Sequence, residues 1–335
     1  NYNTGIGKST FAALTTGDSN AAYGYNSMAA NTTGGYNTAL GNNAFAINTT
    51  GAENTAVGHN ALDANTTADN NVAVGSNALS TNTTGASNAA VGAYSLYLNT
   101  TGTWNVALGF EALKANTTGG DNTAVGKAAM VTNTTGASNT GIGRDALTAN
   151  TTAANNTGIG RAALEANTTG ADNTAVGKSA GTLITTAANN TCVGSGAGGG
   201  IKTGGNNIAI GVGTFASDVT GEFSGCVAIG TSSFAQLTTG TSNHGVGYRT
   251  GYKVTTGSNN NYFGYGAGVE ATTGSYNAGF GHTPFGSLST GSYNTAMGTR
   301  ADFNRTTGSY NTGLGYNALG TSATASGEMT LGDGN

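Results

Sequence analysis

The sequence predicts an all-β protein, a β-solenoid of about twenty 17-residue coils, and three observations carry that prediction. A glycine recurs every 17 residues from Gly7 to Gly211 and from Gly230 to Gly332, with one step of 19 between Gly211 and Gly230. The residue before that glycine is apolar in every copy, as in Val57, Val74 and Val91, and a second apolar position follows four residues later in most copies, as in Leu62, Leu79 and Leu96. Between them lie short segments rich in Thr, Val and Ile and bounded by Gly and Asn, which is a pattern of strands and turns. The i, i+3, i+4, i+7 spacing of a helix does not recur.

Each coil is accordingly expected to hold two short strands and two turns. Identical residues then stack in columns, with backbone hydrogen bonds running from coil to coil and few exposed edges. The columns of Val57 and Leu62 are both expected in the core. The column of Ala56, Ala73, Ala90, Ala107 and Ala124 alternates with the first of these. It is expected to face outward, where small side chains let a second chain approach closely. Two large apolar side chains per coil are few against the entropy of ordering a whole coil, so copies are expected to associate side by side.

Length alone would favour two domains in 335 residues, but the repeat runs from end to end, which predicts a single repeat domain over 1–335. Coils are regular over 1–180, less regular over 181–270 and Tyr-rich over 271–335. In the middle stretch Gly181, Gly198, Gly251 and Gly268 replace the second core residue, and the two-residue insertion is expected near 221–225 as a bulged turn carrying Glu222 and Phe223. Charged residues make up only 8% and the net charge is −4, which offers no phosphate-binding surface, so no nucleic-acid partner is expected. No apolar run reaches the roughly 18 residues of a membrane span, so no membrane insertion is expected. The chain opens in mid-repeat without a Met and reads as a piece of a longer polypeptide.

The segments NTAVG, NVAVG, NAAVG and NTGIG resemble the short head repeats of trimeric autotransporter adhesins. The longer NTAVGxxALxxNTTG unit resembles repeats of phage tail-fibre and bacterial fibre proteins, which often end in an autocleaving endosialidase-type intramolecular chaperone. The closing EMTLGDGN, Glu328 to Asn335, is similar to the last coil ahead of such a chaperone. The resemblance implies a left-handed parallel β-roll in a homotrimer, at the cell exterior or on a virion. It implies a structural and adhesive fibre shaft whose partners are its own copies and a cell-surface glycan or other receptor.

Candidate sites are few. Asn31, Asn48, Asn65, Asn82, Asn99, Asn116, Asn133, Asn150 and Asn167 each open an N-T-T sequence, which is a glycosylation sequon or, alternatively, an Asn ladder bonded from coil to coil. In other coils the same column holds Leu14, Ile184, Ile201, Leu237, Val254 and Leu288, which points to a partly buried position. Lys127, Arg144, Arg161 and Lys178 form a short basic column beside Asp121, Asp145, Glu165 and Asp172; it is a solvated face or an anionic-glycan site. Tyr276, Tyr293 and Tyr310 form an aromatic column whose position Trp104 and Tyr36 occupy singly; it is a stack of rings or a carbohydrate platform.

His59, His244 and His282 lie in different columns or distant coils, and acidic residues are not regularly paired. No metal site, cofactor or catalytic centre is expected, and the segment reads as no enzyme. Cys192 and Cys226 lie two coils apart, about 10 Å at about 4.8 Å per coil, beyond the roughly 7 Å reach of a disulfide. Free, buried thiols are expected. Two rivals to the fibre shaft remain: a self-assembling extracellular filament, and an ice-binding solenoid using the Thr column from Thr16 to Thr324. Against the latter, the threonines of T-T-G are adjacent and cannot share one strand face.

Overall fold

The closing glycine of each coil is fixed by its backbone. Gly58 lies at φ +137°, and a Cβ there would stand 2.5 Å from the carbonyl oxygen of Gly75 in the next coil, so only glycine fits. Three other positions in this coil are left-handed without being glycine: Glu53 at +60°, Asn60 at +50° and Leu62 at +53°. Such a conformation costs an ordinary residue about 1–2 kcal/mol, so it persists only where packing holds it. Leu62 is wholly buried, and that burial supplies the hold.

These bends decide the strand count. Each coil contains one three-residue strand, not the two expected, because the left-handed Asn60 and Leu62 break the second. The rest of the coil still bonds to its neighbours. Thr49 N–H donates to Thr66 O at 2.8 Å, Asn60 to Asn42 O at 3.0 Å and Leu62 to Ala78 O at 2.9 Å.

The computed structural model describes residues 2–217 and 221–332. The chain divides into two compact units, Asn1–Thr169 and Gly170–Asn335. Each is a β-solenoid of the same coil. The first carries strands β1 (Thr4–Ile6) to β10 (Thr157–Ile159), parallel and in register, as in Thr55↔Val72, Ala56↔Ala73 and Val57↔Val74. The second carries β11 (Thr174–Val176) to β20 (Met329–Leu331), and the pairing continues through the longer step as Ile208↔Val227.

The faces of the strand are the reverse of those expected. Ala56, Ala73, Ala90, Ala107 and Ala124 are wholly buried, whereas the neighbouring apolar column points outward, with Leu40 50%, Val91 37% and Leu108 47% exposed. A strand side-chain period of two leaves only these two choices. The interior decides between them because it is narrow. At Gly141 an added Cβ would already lie 3.1 Å from Met130 Cγ, and at Gly158 it would lie 3.2 Å from Leu147 Cγ. The inward strand position therefore takes Ala or Gly wherever the Leu62-type column is occupied.

The exceptions follow the same rule. Tyr262 stands at the inward position, and its ring fills the space beside Gly268, where a Cβ would come within 2.6 Å of it. Phe234 does the same for Gly251 at 2.3 Å, and Cys192 Sγ for Gly198 at 2.3 Å. These glycines stand at left-handed positions, with φ +61°, +55° and +66°, so glycine also relieves the strain that Leu62 bears.

Two asparagine columns complete the core of the first unit. In one, Asn48 Nδ2 donates to Asn31 Oδ1 at 2.8 Å and to Gly51 O at 3.0 Å. In the other, the backbone N–H of Asn54 donates to Asn37 Oδ1 at 2.9 Å, and Asn54 Nδ2 donates to Ala68 O at 2.9 Å. In the second unit the first column turns aliphatic (Ile184, Ile201, Leu237, Val254, Ala271, Leu288), all wholly buried, and then holds Arg305, also wholly buried. Arg305 Nε reaches both oxygens of Asp302 at 2.9 and 2.8 Å, and its Nη2 donates to Glu328 at 3.0 Å.

The insertion lies earlier than expected. Lys202 N–H already donates to Gly221 O, 19 residues on, so the register shift is complete by Gly221. Residues 218–220, just before that bond, lie outside the described residues. Phe223 is not displayed on a bulge but is wholly buried, 4.7 Å from the ring of Phe215. Both thiols are free and buried, as expected. Cys226 stands within the second asparagine column, where its Sγ accepts the Asn243 N–H at 3.4 Å as a carboxamide oxygen would.

Candidate interaction face

The outward side of each strand forms a face, and its make-up follows from the alternation just described. Across Asp121–Lys127, for example, Asp121, Thr123, Val125 and Lys127 point outward while Asn122 and Ala124 are buried. Each coil thus offers four outward residues: one two places before the strand, two from the strand and one two places after it. No Asp, Glu, Lys or Arg occurs in any strand from β1 to β20. Ile6 at 62%, Leu40 at 50% and Leu108 at 47% are exposed on this face in the first unit, and Met297 at 52% in the second. A sheet face left to water ordinarily carries polar and charged side chains. This one carries Thr, His244 and Asn261 beside its apolar column, and charged side chains stand only along its two margins.

The margins differ in charge. Among the described residues, the acidic side chains in these two columns, Glu53, Asp121 and Asp172, all precede the strand. The basic ones, Lys8, Lys127, Arg144, Arg161 and Lys178, all follow it. Lys127, Arg144, Arg161 and Lys178 are exposed as the sequence implied, and Arg144 Nε lies 3.2 Å from Asp145 Oδ2.

The aromatic column forms a stack. Ring centroids of Tyr276 and Tyr293 are 4.8 Å apart at 3°, and those of Tyr293 and Tyr310 are 5.0 Å apart at 1°. Ring faces inside such a stack meet each other, so the column presents mainly edges and hydroxyls to solvent. Trp104, 66% exposed and flanked in its column by Ser87 and Asp121, stacks on no ring among the described residues.

Sequence reasoning missed a second ladder on the opposite margin, Tyr248–Tyr265–His282, with centroids 5.1 and 4.9 Å apart. It also missed Phe263 over Phe280 at 5.1 Å on the face itself. The 17-residue spacing of these residues was the signal that could have found them.

The nine N-T-T asparagines, Asn31 to Asn167, are wholly buried. Asn82 Nδ2, the atom a glycan would need, donates to Asn65 Oδ1 at 3.1 Å and to Gly85 O at 2.8 Å, and Asn99 and Asn116 repeat the pattern. In the folded chain these amides face the core.

Among the described residues no group of three or more His, Cys, Asp and Glu could hold a metal ion, and no helix is long and apolar enough to cross a membrane. An open depression of about 430 Å³, lined by residues including Ser217, Ser232, Gln236 and Tyr252, contains no titratable cluster. Comparison with known proteins gives no match to any family model, curated protein or solved structure.

Proposed function

We propose that this chain is a segment of an extracellular or virion-surface fibre. It serves as a structural and adhesive shaft in which solenoids stand side by side as a homotrimer and hold receptor-contacting groups away from the surface that bears them. The observation that carries this reading is the strand face, which is apolar in its outermost column at every coil and free of charged residues within the strands. Such a face is built to be covered, and the resemblance to fibre repeats supplies the trimer. The reading assigns the chain no catalytic step and no cofactor. Receptor contact falls to what remains outward, with Trp104 and the basic margin as glycan-contacting candidates, and many weak contacts along one shaft add through effective concentration. Light scattering at micromolar concentration tests the reading. A mass three times 32.7 kDa supports it, and a folded monomer removes it.

One observation favours a second reading. Thr140 and Thr157 share the outward strand face with Ile142 and Ile159, so threonine and aliphatic columns do lie side by side, as an ice-ordering surface requires. Leu40, Leu108, Phe263, Phe280 and Met297 interrupt that regularity. Thermal hysteresis from a monomeric sample decides for it.

A further inference from the structure

Tyr276, Tyr293 and Tyr310 stand 17 residues apart, each as the fourth residue of a T-G-S-Y-N segment. Two sets of coil-to-coil bonds fix that segment. The Ser275 N–H donates to Ser292 Oγ and the Ser292 N–H to Ser309 Oγ, each at 3.0 Å. One residue on, the Tyr293 N–H donates to Ser275 O at 3.0 Å and the Tyr310 N–H to Ser292 O at 3.1 Å. The three tyrosines share one backbone conformation, with φ +59°, +57° and +61°. Each is a copy of the last moved along the stack, so the rings lie parallel with centroids 4.8 and 5.0 Å apart. Copies related in this way also hold like atoms together. Each Cε, the ring carbon beside the phenolic one, faces the Cε of the next ring at about the centroid spacing. The three residues are 52%, 49% and 67% exposed, so stacking covers the ring faces and leaves the phenolic edges within reach of an oxidant.

We propose that this column is an oxidative modification site, at which neighbouring tyrosines couple to dityrosine and staple one coil to the next. The co-reactant is hydrogen peroxide acting through a haem peroxidase. Two tyrosines each lose one electron and the phenolic proton; peroxide takes up both electrons and both protons and leaves as two waters. The unpaired electron of a phenoxyl radical is shared with the ring carbons ortho to oxygen, which here are the facing Cε atoms. Two such carbons join, and each then passes its hydrogen to its own oxygen, which restores both phenols. Overall two C–H bonds and one O–O bond break, and one C–C bond and two O–H bonds form. The coupling takes place within one chain and does not rest on the shaft proposed above. It supplies a covalent link that the two cysteines, both free and buried, do not.

Other tyrosines are placed less well for it. Tyr262 is wholly buried, and the rings of Tyr94 and Tyr97 cross at 76°. Tyr36 has Ser19 and Glu53 as its column neighbours. Tyr248 and Tyr265 stack at 5.1 Å and 22°, but His282 ends that ladder after a single coupling.

The test is oxidation of the full chain at micromolar concentration with hydrogen peroxide and a haem peroxidase, followed by denaturation, trypsin and mass spectrometry. Cleavage after Lys253, Arg300 and Arg305 places Tyr276 and Tyr293 on peptide 254–300 and Tyr310 on peptide 306–335. The expected product is monomeric on a denaturing gel, shows dityrosine fluorescence and yields those two peptides joined with the loss of two hydrogen atoms. Because the stack pre-orients the partners, the joined pair should exceed that from chain oxidised in urea by about ten-fold or more. Tyr293→Phe leaves Tyr276 and Tyr310 two coils apart, about 10 Å, and should remove the joined pair, whereas Tyr276→Phe should keep it. Circular dichroism checks that both variants hold the fold. An equal yield in urea, a joined pair that survives Tyr293→Phe, dityrosine confined to cross-linked dimers, or no dityrosine at all overturns the proposal.

Discussion

Asn105→Leu, compared with Asn99→Leu six residues earlier, separates the two asparagine columns by what each one satisfies. Asn105 Nδ2 donates to Asn88 Oδ1 at 3.1 Å and Gly119 O at 2.9 Å, and its Oδ1 accepts from the backbone N–H and the Nδ2 of Asn122, both at 3.1 Å. Leucine fills the volume, keeps water out and removes all four bonds. At about 1 kcal/mol each that is about 4 kcal/mol, and the buried Asn122 N–H left without a partner adds about 1–3 kcal/mol. Apolar burial of leucine returns about 2 kcal/mol. The expected net loss is about 3–5 kcal/mol.

Asn99 makes three such bonds, to Asn82 Oδ1, to Gly102 O and from Asn116 Nδ2. Gly102 O keeps a second donor in Asn88 Nδ2, and no backbone N–H is orphaned. The same bookkeeping gives about 1 kcal/mol for Asn99→Leu. Urea unfolding followed by circular dichroism measures both. Equal losses at the two sites, or a loss below about 1 kcal/mol for Asn105→Leu, would refute the reasoning. The chain already points the same way. The column of Asn99 becomes Ile, Leu and Val in the second unit, while the column of Asn105 tolerates Cys226, whose sulfur still accepts the next N–H.

Other expected outcomes follow from the same coil. Gly126→Ala, at φ +131° with Gly143 O only 2.7 Å from the new Cβ, should abolish soluble folded protein, whereas Gly196→Ala, at φ +64° with open space around it, should cost about 1 kcal/mol by denaturant titration. Burial pushes the thiols of Cys192 and Cys226 up to about 12 and about 11, from 9.0. Their contribution is intact below pH 9 and is lost as pH rises toward 11, at about 1.4 kcal/mol per pH unit for each thiol. A Cys192→Ala, Cys226→Ser double variant should lose that slope in alkaline unfolding curves. Arg305→Met leaves the Asp302 carboxylate buried and uncompensated, which should cost about 3–5 kcal/mol at pH 7. Burial already raises the Asp302 pKa, so the penalty should shrink as pH falls and the carboxyl takes up its proton, which melting curves at pH 4 and pH 8 would show.

The coil period, the single fold class, the buried thiols and the Leu62 column were legible because each is a statement about one chain's spacing. The orientation of the strand was not. A three-residue strand with Thr-Ala-Val offers two faces, and the larger side chain argues for Val inward. Only the width of the interior, set by Leu62-type residues crossing it, reverses that choice. Nor could the sequence show that Leu62 and Asn60 sit at left-handed φ, since leucine gives no sign of it. The glycines that replace Leu62-type residues at positions 198, 251 and 268 were the visible trace of that strain. They read as lost core until Cys192, Phe234 and Tyr262 were seen to fill the space.

The reversal changes the reason for association. If the Val57 column were core, partners would be needed to complete a thin interior. The chain instead exposes 12564 Å², against about 12,400 Å² for a folded monomer of 32.7 kDa, so its own core is already adequate. In the proposed fibre, a partner copy has only the outside to cover. The Asn ladders hold each coil in register with the next, so whatever stands outward is carried at fixed spacing. The margins are where the residue types vary most, from acid to base to aromatic, and the inward columns are where they vary least. A solenoid whose interior is uniform and whose margins are varied has its specificity written on its surface. That is why the decisive measurement is the solution mass of the chain, with the stability of a single chain as its control.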